Sequence, residues 1–127
     1  MTHFTEIEQV LSRHPEIRLA YVFGSVATGG AGADSDLDIA VQADAPLDAE
    51  ARVTLTEELA EATGRAVDLV DLSTAGEPLL GEVLRGVRLR GDNSGHAGLL
   101  RRHILDTEDF LPYVRRMLAE RRRTWNR

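Results

Sequence analysis

The chain of 127 residues contains no cysteine and no lysine. Without cysteine it can form no disulfide framework, thiol nucleophile or zinc–thiolate site. No stretch approaches the ~20 apolar residues of a membrane-spanning helix, and the first residues lack the basic and apolar regions of a signal peptide. The sequence therefore predicts a cytoplasmic protein that has no membrane segment.

The basic residues are all arginine, and their distribution is uneven. Residues 1–98 carry 7 arginines against 17 acidic residues, whereas residues 99–127 carry 8 arginines against 4 acidic residues. Arginine pairs bidentately with carboxylates and phosphates, so the basic C-terminal part is either a docking arm or a solvated helix face. The net charge of −6 makes nucleic acid an unfavourable partner for the whole chain.

The residues with the clearest chemistry follow a short apolar run at residues 19–23. Gly24 and Ser25 come directly after it, where a tight turn can present backbone N–H groups and a hydroxyl to phosphate. Asp36 and Asp38 are two residues apart, so on a strand they share one face and can bind the same pair of divalent cations. A helix-capping serine and two surface carboxylates are the alternative. The joint spacing favours a site for a metal-bound nucleoside triphosphate.

This pattern resembles the G-S-x10-D-x-D signature of the nucleotidyltransferase superfamily built on the polymerase-β catalytic fold. The resemblance covers about residues 17–92. It implies an α/β (α+β) fold in which helices flank a small mixed β-sheet. A chain of this length is one domain and lacks room for a second helical domain, so it is most similar to the minimal nucleotidyltransferase group. We predict a catalytic domain at residues 1–92 and a helical arm at residues 93–127 that packs on it or extends from it.

The resemblance also implies an activity and a partner. The implied reaction is the Mg²⁺-dependent transfer of AMP from ATP to a tyrosine of a HEPN toxin, with two Mg²⁺ ions and with this chain as the antitoxin. A homo-oligomer is compatible with the sequence. Two alternatives stay open at this point: a nucleotidyltransferase that modifies a small molecule, similar to the aminoglycoside-modifying enzymes, and an antitoxin that acts by binding alone.

The family carries a third carboxylate on a later strand, and residues 66–72 offer two candidates. Asp68 and Asp71 are three residues apart, so a strand places them on opposite faces. We predict Asp68, because it lies inside the strand while Asp71 lies at its end. By resemblance, Asp36, Asp38 and Asp68 are then the catalytic and metal-binding residues, and Gly24 and Ser25 bind the nucleotide.

One position departs from the family pattern. Many members read G-S-x-A-R-G, but this chain has Thr28 where they have arginine. A cation near the triphosphate would have to come from elsewhere, and Arg65, Arg85 and Arg88 are the candidates.

Periodicity and turn residues predict the order of the secondary structure. The predicted helices cover residues 5–14, 48–62, 74–86, 97–105 and 108–124, and the last two are either separate helices or one helix bent near Asp106. A short helical turn is expected after Gly24 and Ser25. The first and third helices begin at capping-box pairs, Thr5 with Glu8 and Thr74 with Glu77. The predicted strands cover residues 17–23, 36–42, 66–71 and 87–90, and the turn formers at residues 91–95 predict a linker.

Overall fold

The structure is a computed structural model that describes residues 4–30, 32, 34–106 and 115–121. Its elements confirm the predicted order along the described chain. They are α1 Phe4–Leu11, β1 Ile17–Phe23, α2 Gly24–Thr28, β2 Leu37–Ala43, α3 Ala49–Thr63, β3 Val67–Asp71, α4 Leu79–Leu84, β4 Val87–Arg90 and α5 Asn93–Asp106. Residues 115–121 are also helical. Within the described ranges, no helix combines the length and the apolar character needed to cross a membrane.

The four strands form the predicted mixed sheet, in the order β3-β2-β1-β4. Strand β1 runs antiparallel to β2 and to β4, and β2 runs parallel to β3. In this register Phe23 pairs with Asp38, and Asp38 pairs with Asp68. The end of β1 therefore lies beside the beginnings of β2 and β3, which brings the predicted site residues of three strands to one edge of the sheet.

The two faces of the sheet bury different helices. Leu37, Ile39 and Val41 of β2 belong to a core cluster with residues of α1 and α3. Ala40 belongs to the cluster on the other face, with residues of α4 and α5. Because side chains alternate along a strand, Asp38 lies on the same face as Ala40. The helices α4 and α5 therefore cover the face of the sheet that carries the carboxylates.

Helix α3 begins and ends where its flanking residues predict. The Asp48 side chain accepts a hydrogen bond from the backbone N–H of Ala51 at 2.8 Å and caps the N-terminus. Gly64 ends the helix in the left-handed region, with φ of 69°.

Neither predicted capping box forms. Thr5 lies inside α1 and is not its N-cap. Helix α4 begins at Leu79 after Pro78, whose side chain makes no capping hydrogen bond. The Thr74 hydroxyl instead donates to the carbonyl oxygen of Asp71 at 3.3 Å, so the turn that follows β3 uses the group that the capping box required.

The predicted linker at residues 91–95 is wrong in its second half, because α5 begins at Asn93. Asp92 Oδ1 accepts a hydrogen bond from the backbone N–H of Gly95 at 2.7 Å, which is how an N-cap residue starts a helix. The predicted boundary between residues 92 and 93 coincides with this helix start, and its status as a domain boundary stays a prediction. Most of the predicted helix 108–124 lies outside the described residues, apart from the exposed helical residues 115–121.

Helix α5 packs on the sheet through a few specific contacts. Leu99 is 4% exposed and belongs to the cluster with Leu19 and Tyr21. The Tyr21 hydroxyl and Nδ1 of His96 are hydrogen-bonded at 2.7 Å. These contacts make at least the first part of the predicted arm a component of the core on this face.

Replacing Leu99 by alanine should therefore lower the free energy of unfolding by about 2–5 kcal/mol, because it leaves a cavity between α5 and β1. Urea unfolding followed by circular dichroism measures the change. The neighbouring Leu100 is 41% exposed, so Leu100→Ala is a matched control that should shift the free energy by less than about 0.5 kcal/mol. Equal losses in the two variants would show that α5 does not pack as described.

Candidate nucleotide-binding site

Asp38 lies at the centre of the candidate site. It is the second residue of β2, between Phe23 of β1 and Asp68 of β3. Burial raises the pKa of the Asp38 carboxyl, and the negative charges of Asp68, Asp36 and Glu82 raise it further. A cation bound beside Asp38 would favour its ionised form, so the surroundings of this carboxylate suit a metal ligand.

Asp36 and Asp68 flank Asp38 from the loop and from the neighbouring strand. Asp36 directly precedes β2, one residue outside the strand that was predicted to include it, and it is exposed. Asp68 is also exposed, and parallel pairing places it beside Asp38. The structure thus brings together the three carboxylates that the sequence singled out, with the outer two open to solvent and the central one partly buried.

Asp71 has a different environment from Asp68. It is 5% exposed, and its carboxylate accepts hydrogen bonds from the backbone N–H of Leu47 at 2.9 Å and from the backbone N–H and hydroxyl of Ser73 at 2.9 and 2.7 Å. Burial alone would raise the pKa of Asp71, but these hydrogen bonds and the charge of Arg52 outweigh it and leave the pKa lowered. The carboxylate holds the turn after β3 against the start of α3, so its bonds are structural.

Glu82 of α4 is a fourth carboxylate at the site, and the sequence motif did not predict it. Its charge is one of those that raise the pKa of Asp38. The signal in the sequence is weak: Glu82 is the only charged residue of α4, whose other residues are glycine, leucine and valine. It reaches the site because α4 packs across β1, a tertiary contact that no local pattern indicates.

Two features of the structure require glycine at position 24: its backbone conformation and its close approach to Asp38. Its φ of 73° lies in the left-handed region, which favours glycine. A Cβ at this position would lie 2.3 Å from Oδ2 of Asp38, inside van der Waals contact. The glycine predicted to let phosphate approach therefore also makes space for the central carboxylate. Ser25 follows it in the short helix α2, where its side chain is exposed.

Two of the three candidate arginines, Arg65 and Arg88, make hydrogen bonds within this chain. Nη1 of Arg65 donates to the carbonyl oxygens of Gly32 and Ser35, both at 2.9 Å, and so holds the loop before the aspartates. Arg88 donates to the carbonyl oxygen of Asp92 and to the side chain of Asn93, both at 2.9 Å. Arg85 is exposed at the end of α4, and which arginine compensates for Thr28 stays a prediction.

The donor set fits Mg²⁺, which prefers carboxylate and phosphate oxygens. Burial and the charges of the neighbouring carboxylates both raise the pKa of Asp38. Among the described residues, however, no three acidic or histidine side chains are grouped closely enough to hold an ion as they stand. A cation would therefore have to draw Asp36 and Asp68 towards Asp38, with the remaining ligands coming from the nucleotide.

The strand order and the carboxylates at the edge of the sheet are those of a nucleotidyltransferase domain. The family model described as polymerase beta, nucleotidyltransferase matches residues 5–94, and the chain belongs to this family.

One protein and two chains of solved structures are relatives of this chain, and the similarity covers a different share of each one. The protein adenylyltransferase MntA of Shewanella oneidensis is 44% identical over 78 residues, which are 61% of this chain and 56% of that protein. The match thus spans little more than half of that relative's length. A chain in a crystal structure of a toxin–antitoxin with AMP-PNP is similar with a TM-score of 0.71 and 30% identity, over 98% of this chain and 97% of that one. A chain in the structure of a tri-AMPylated Shewanella oneidensis HEPN toxin in complex with an MNT antitoxin is similar with a TM-score of 0.64 and 28% identity, over 98% and 93%.

Proposed function

We propose that this protein is an adenylyltransferase antitoxin that transfers AMP from ATP to a tyrosine of a HEPN toxin and thereby neutralises it. The observation that carries the proposal is the placement of Asp38 between the Gly24 turn and Asp68, at one edge of the sheet. The names of the relatives, a protein adenylyltransferase and an antitoxin bound to an AMPylated HEPN toxin, support the reaction and the partner. Since ATP is a cytoplasmic metabolite, the proposal agrees with the cytoplasmic location expected from the sequence.

Each site residue has a role in this proposal. Asp36, Asp38 and Asp68 would hold two Mg²⁺ ions. Bound Mg²⁺ supplies positive charge that neutralises the triphosphate and activates the acceptor hydroxyl. Gly24 and Ser25 bind the β- and γ-phosphates through the backbone N–H groups and hydroxyl of the turn.

Asp68 has the exposure that contact with an acceptor requires. It orients the tyrosine hydroxyl and accepts its proton as the oxygen attacks the α-phosphorus. The new bond joins the tyrosine oxygen to the α-phosphorus, and the bond from that phosphorus to pyrophosphate breaks. Positioning and charge neutralisation account for most of the catalysis in such a transfer.

Catalysis is favoured over neutralisation by binding alone because the site keeps several negatively charged carboxylates close to one another, which is electrostatically unfavourable without a cation. A surface that only docked a toxin would have no need of a carboxylate whose pKa is raised by burial and by three neighbouring acids. A protein acceptor is favoured over a small molecule because the relatives are named a protein adenylyltransferase and an antitoxin in complex with an AMPylated HEPN toxin.

The test is transfer of label to the cognate HEPN toxin. The purified protein, incubated with Mg²⁺, α-labelled ATP and the toxin, should label the toxin on tyrosine, and chelation of the metal with EDTA should abolish labelling. With γ-labelled ATP the toxin should stay unlabelled, because the γ-phosphate leaves with pyrophosphate. Label from γ-labelled ATP would indicate a kinase, and no label from either nucleotide would overturn the proposal.

A further inference from the structure

A groove with a volume of about 570 Å³ lies between α4 and the C-terminal end of α5. Its charged lining residues are Glu77, Glu82, Arg85, His103 and Asp106. The groove lies on the side of the sheet that also carries Asp38, because α4 and α5 both pack on that face.

The walls of the groove are held together within this chain. The ring of His103 is hydrogen-bonded to the Glu77 carboxylate, and the other oxygen of Glu77 accepts from the backbone N–H of Gly81 at 3.3 Å. Arg102 donates to the carbonyl oxygen of Ala75 at 2.8 Å and fixes α5 to the segment before α4. The groove is therefore formed before any partner binds, which reduces the entropic cost of binding.

Glu82 joins the groove to the carboxylate site. The side chain of Glu82 lines the groove, and its negative charge is among those that raise the pKa of Asp38. A ligand that fills the groove thus extends to within electrostatic reach of the atoms that would hold the nucleotide. This continuity suits the acceptor of the transfer, which has to approach the α-phosphorus from outside the triphosphate turn.

The charge of the groove indicates what kind of acceptor segment fits. Three carboxylates, Glu77, Glu82 and Asp106, face one guanidinium, that of Arg85, while His103 is bonded to Glu77. An acidic groove repels the phosphates of nucleic acid and attracts arginine and lysine side chains. We propose that this groove binds a basic segment of the HEPN toxin next to the modified tyrosine, an inference that rests on the proposed function.

Charge reversal at the outer end of the groove tests the inference. Asp106 is exposed at the last position of α5 and distant in sequence from the carboxylate motif. Asp106→Arg should raise the KM for the toxin about tenfold, with kcat and the KM for ATP unchanged, because it removes attraction for a basic segment without touching the nucleotide. The KM of the parent should rise with added NaCl, and that of the variant should rise less. A basic residue at a helix C-terminus is compatible with the helix dipole, so the variant should fold.

The matched control makes the same charge change on the opposite face of the sheet. Glu61 is exposed on α3, and Glu61→Arg should leave the KM for the toxin unchanged. Asp106→Asn should give an intermediate KM and provides a second test if the arginine variant does not fold.

Equal KM values for the Asp106 and Glu61 variants would overturn the inference while leaving the proposed function in place. Absence of labelling by the parent would overturn the proposed function itself.

Discussion

Replacing Asp38 by asparagine should lower the rate of AMP transfer by about 10²–10³-fold, the usual effect of removing one preorganised electrostatic element. Asparagine keeps the size of the side chain and its fit beside Gly24, where the structure leaves no space for a larger group. It removes the negative charge that would hold Mg²⁺ between β1 and β3. The measurement is the initial rate of toxin labelling from α-labelled ATP, at saturating ATP and toxin.

The same substitution should leave the metal-free protein at least as stable as the parent. The pKa of Asp38 is raised in the folded state, so its ionisation at neutral pH disfavours folding, and this cost disappears as the pH falls through the raised pKa. Asparagine removes the cost, so the variant should gain most at neutral pH and little in acid. Mg²⁺ should raise the melting temperature of the parent alone. Equal stabilisation of both proteins by Mg²⁺ would exclude Asp38 as a metal ligand.

The parts of the site that could be predicted from the sequence are those fixed by local spacing. The separation of two residues between Asp36 and Asp38 and the apolar run before Gly24 depend only on strand periodicity and turn chemistry. The same rule separates Asp68 from Asp71, because residues three apart on a strand lie on opposite faces. The parallel pairing of β2 with β3 then brings Asp68 beside Asp38.

The parts that could not be predicted depend on tertiary contacts. Glu82 enters the site only because α4 crosses β1, and a lone glutamate in an apolar helix gives no sign of such a neighbour. The glycine, aspartate, asparagine and serine residues at positions 91–95 are favoured both in turns and at helix N-termini. Asp92 starts the helix through a local hydrogen bond, but the burial of Leu99, which holds α5 against the sheet, is a tertiary contact.

The second large effect is expected on toxin labelling, which should depend on Asp68 and not on Asp71. Asp68→Asn should abolish detectable labelling of the toxin and leave the melting temperature almost unchanged, since Asp68 is exposed and lies beside Asp38. Asp71→Asn should retain most of the labelling activity and lower the free energy of unfolding by roughly 1–3 kcal/mol. The amide keeps one acceptor oxygen but turns an NH₂ group towards an N–H donor of Leu47 or Ser73, where the carboxylate now accepts.

The pH dependence distinguishes the two roles further. The pKa of Asp71 is lowered in the folded state, so its ionised form stabilises the fold above the unfolded-state pKa, and this stabilisation is lost as the pH falls through the folded-state pKa. The stability difference between the parent and Asp71→Asn should therefore be largest at neutral pH and should narrow in acid. Unfolding of this variant at several pH values tests its structural role, and labelling assays of both variants at neutral pH test the catalytic one. A stable but inactive Asp71 variant beside an active Asp68 variant would move the third carboxylate to Asp71. It would also require β3 to present the opposite face to Asp38, because a strand cannot turn both aspartates to one side.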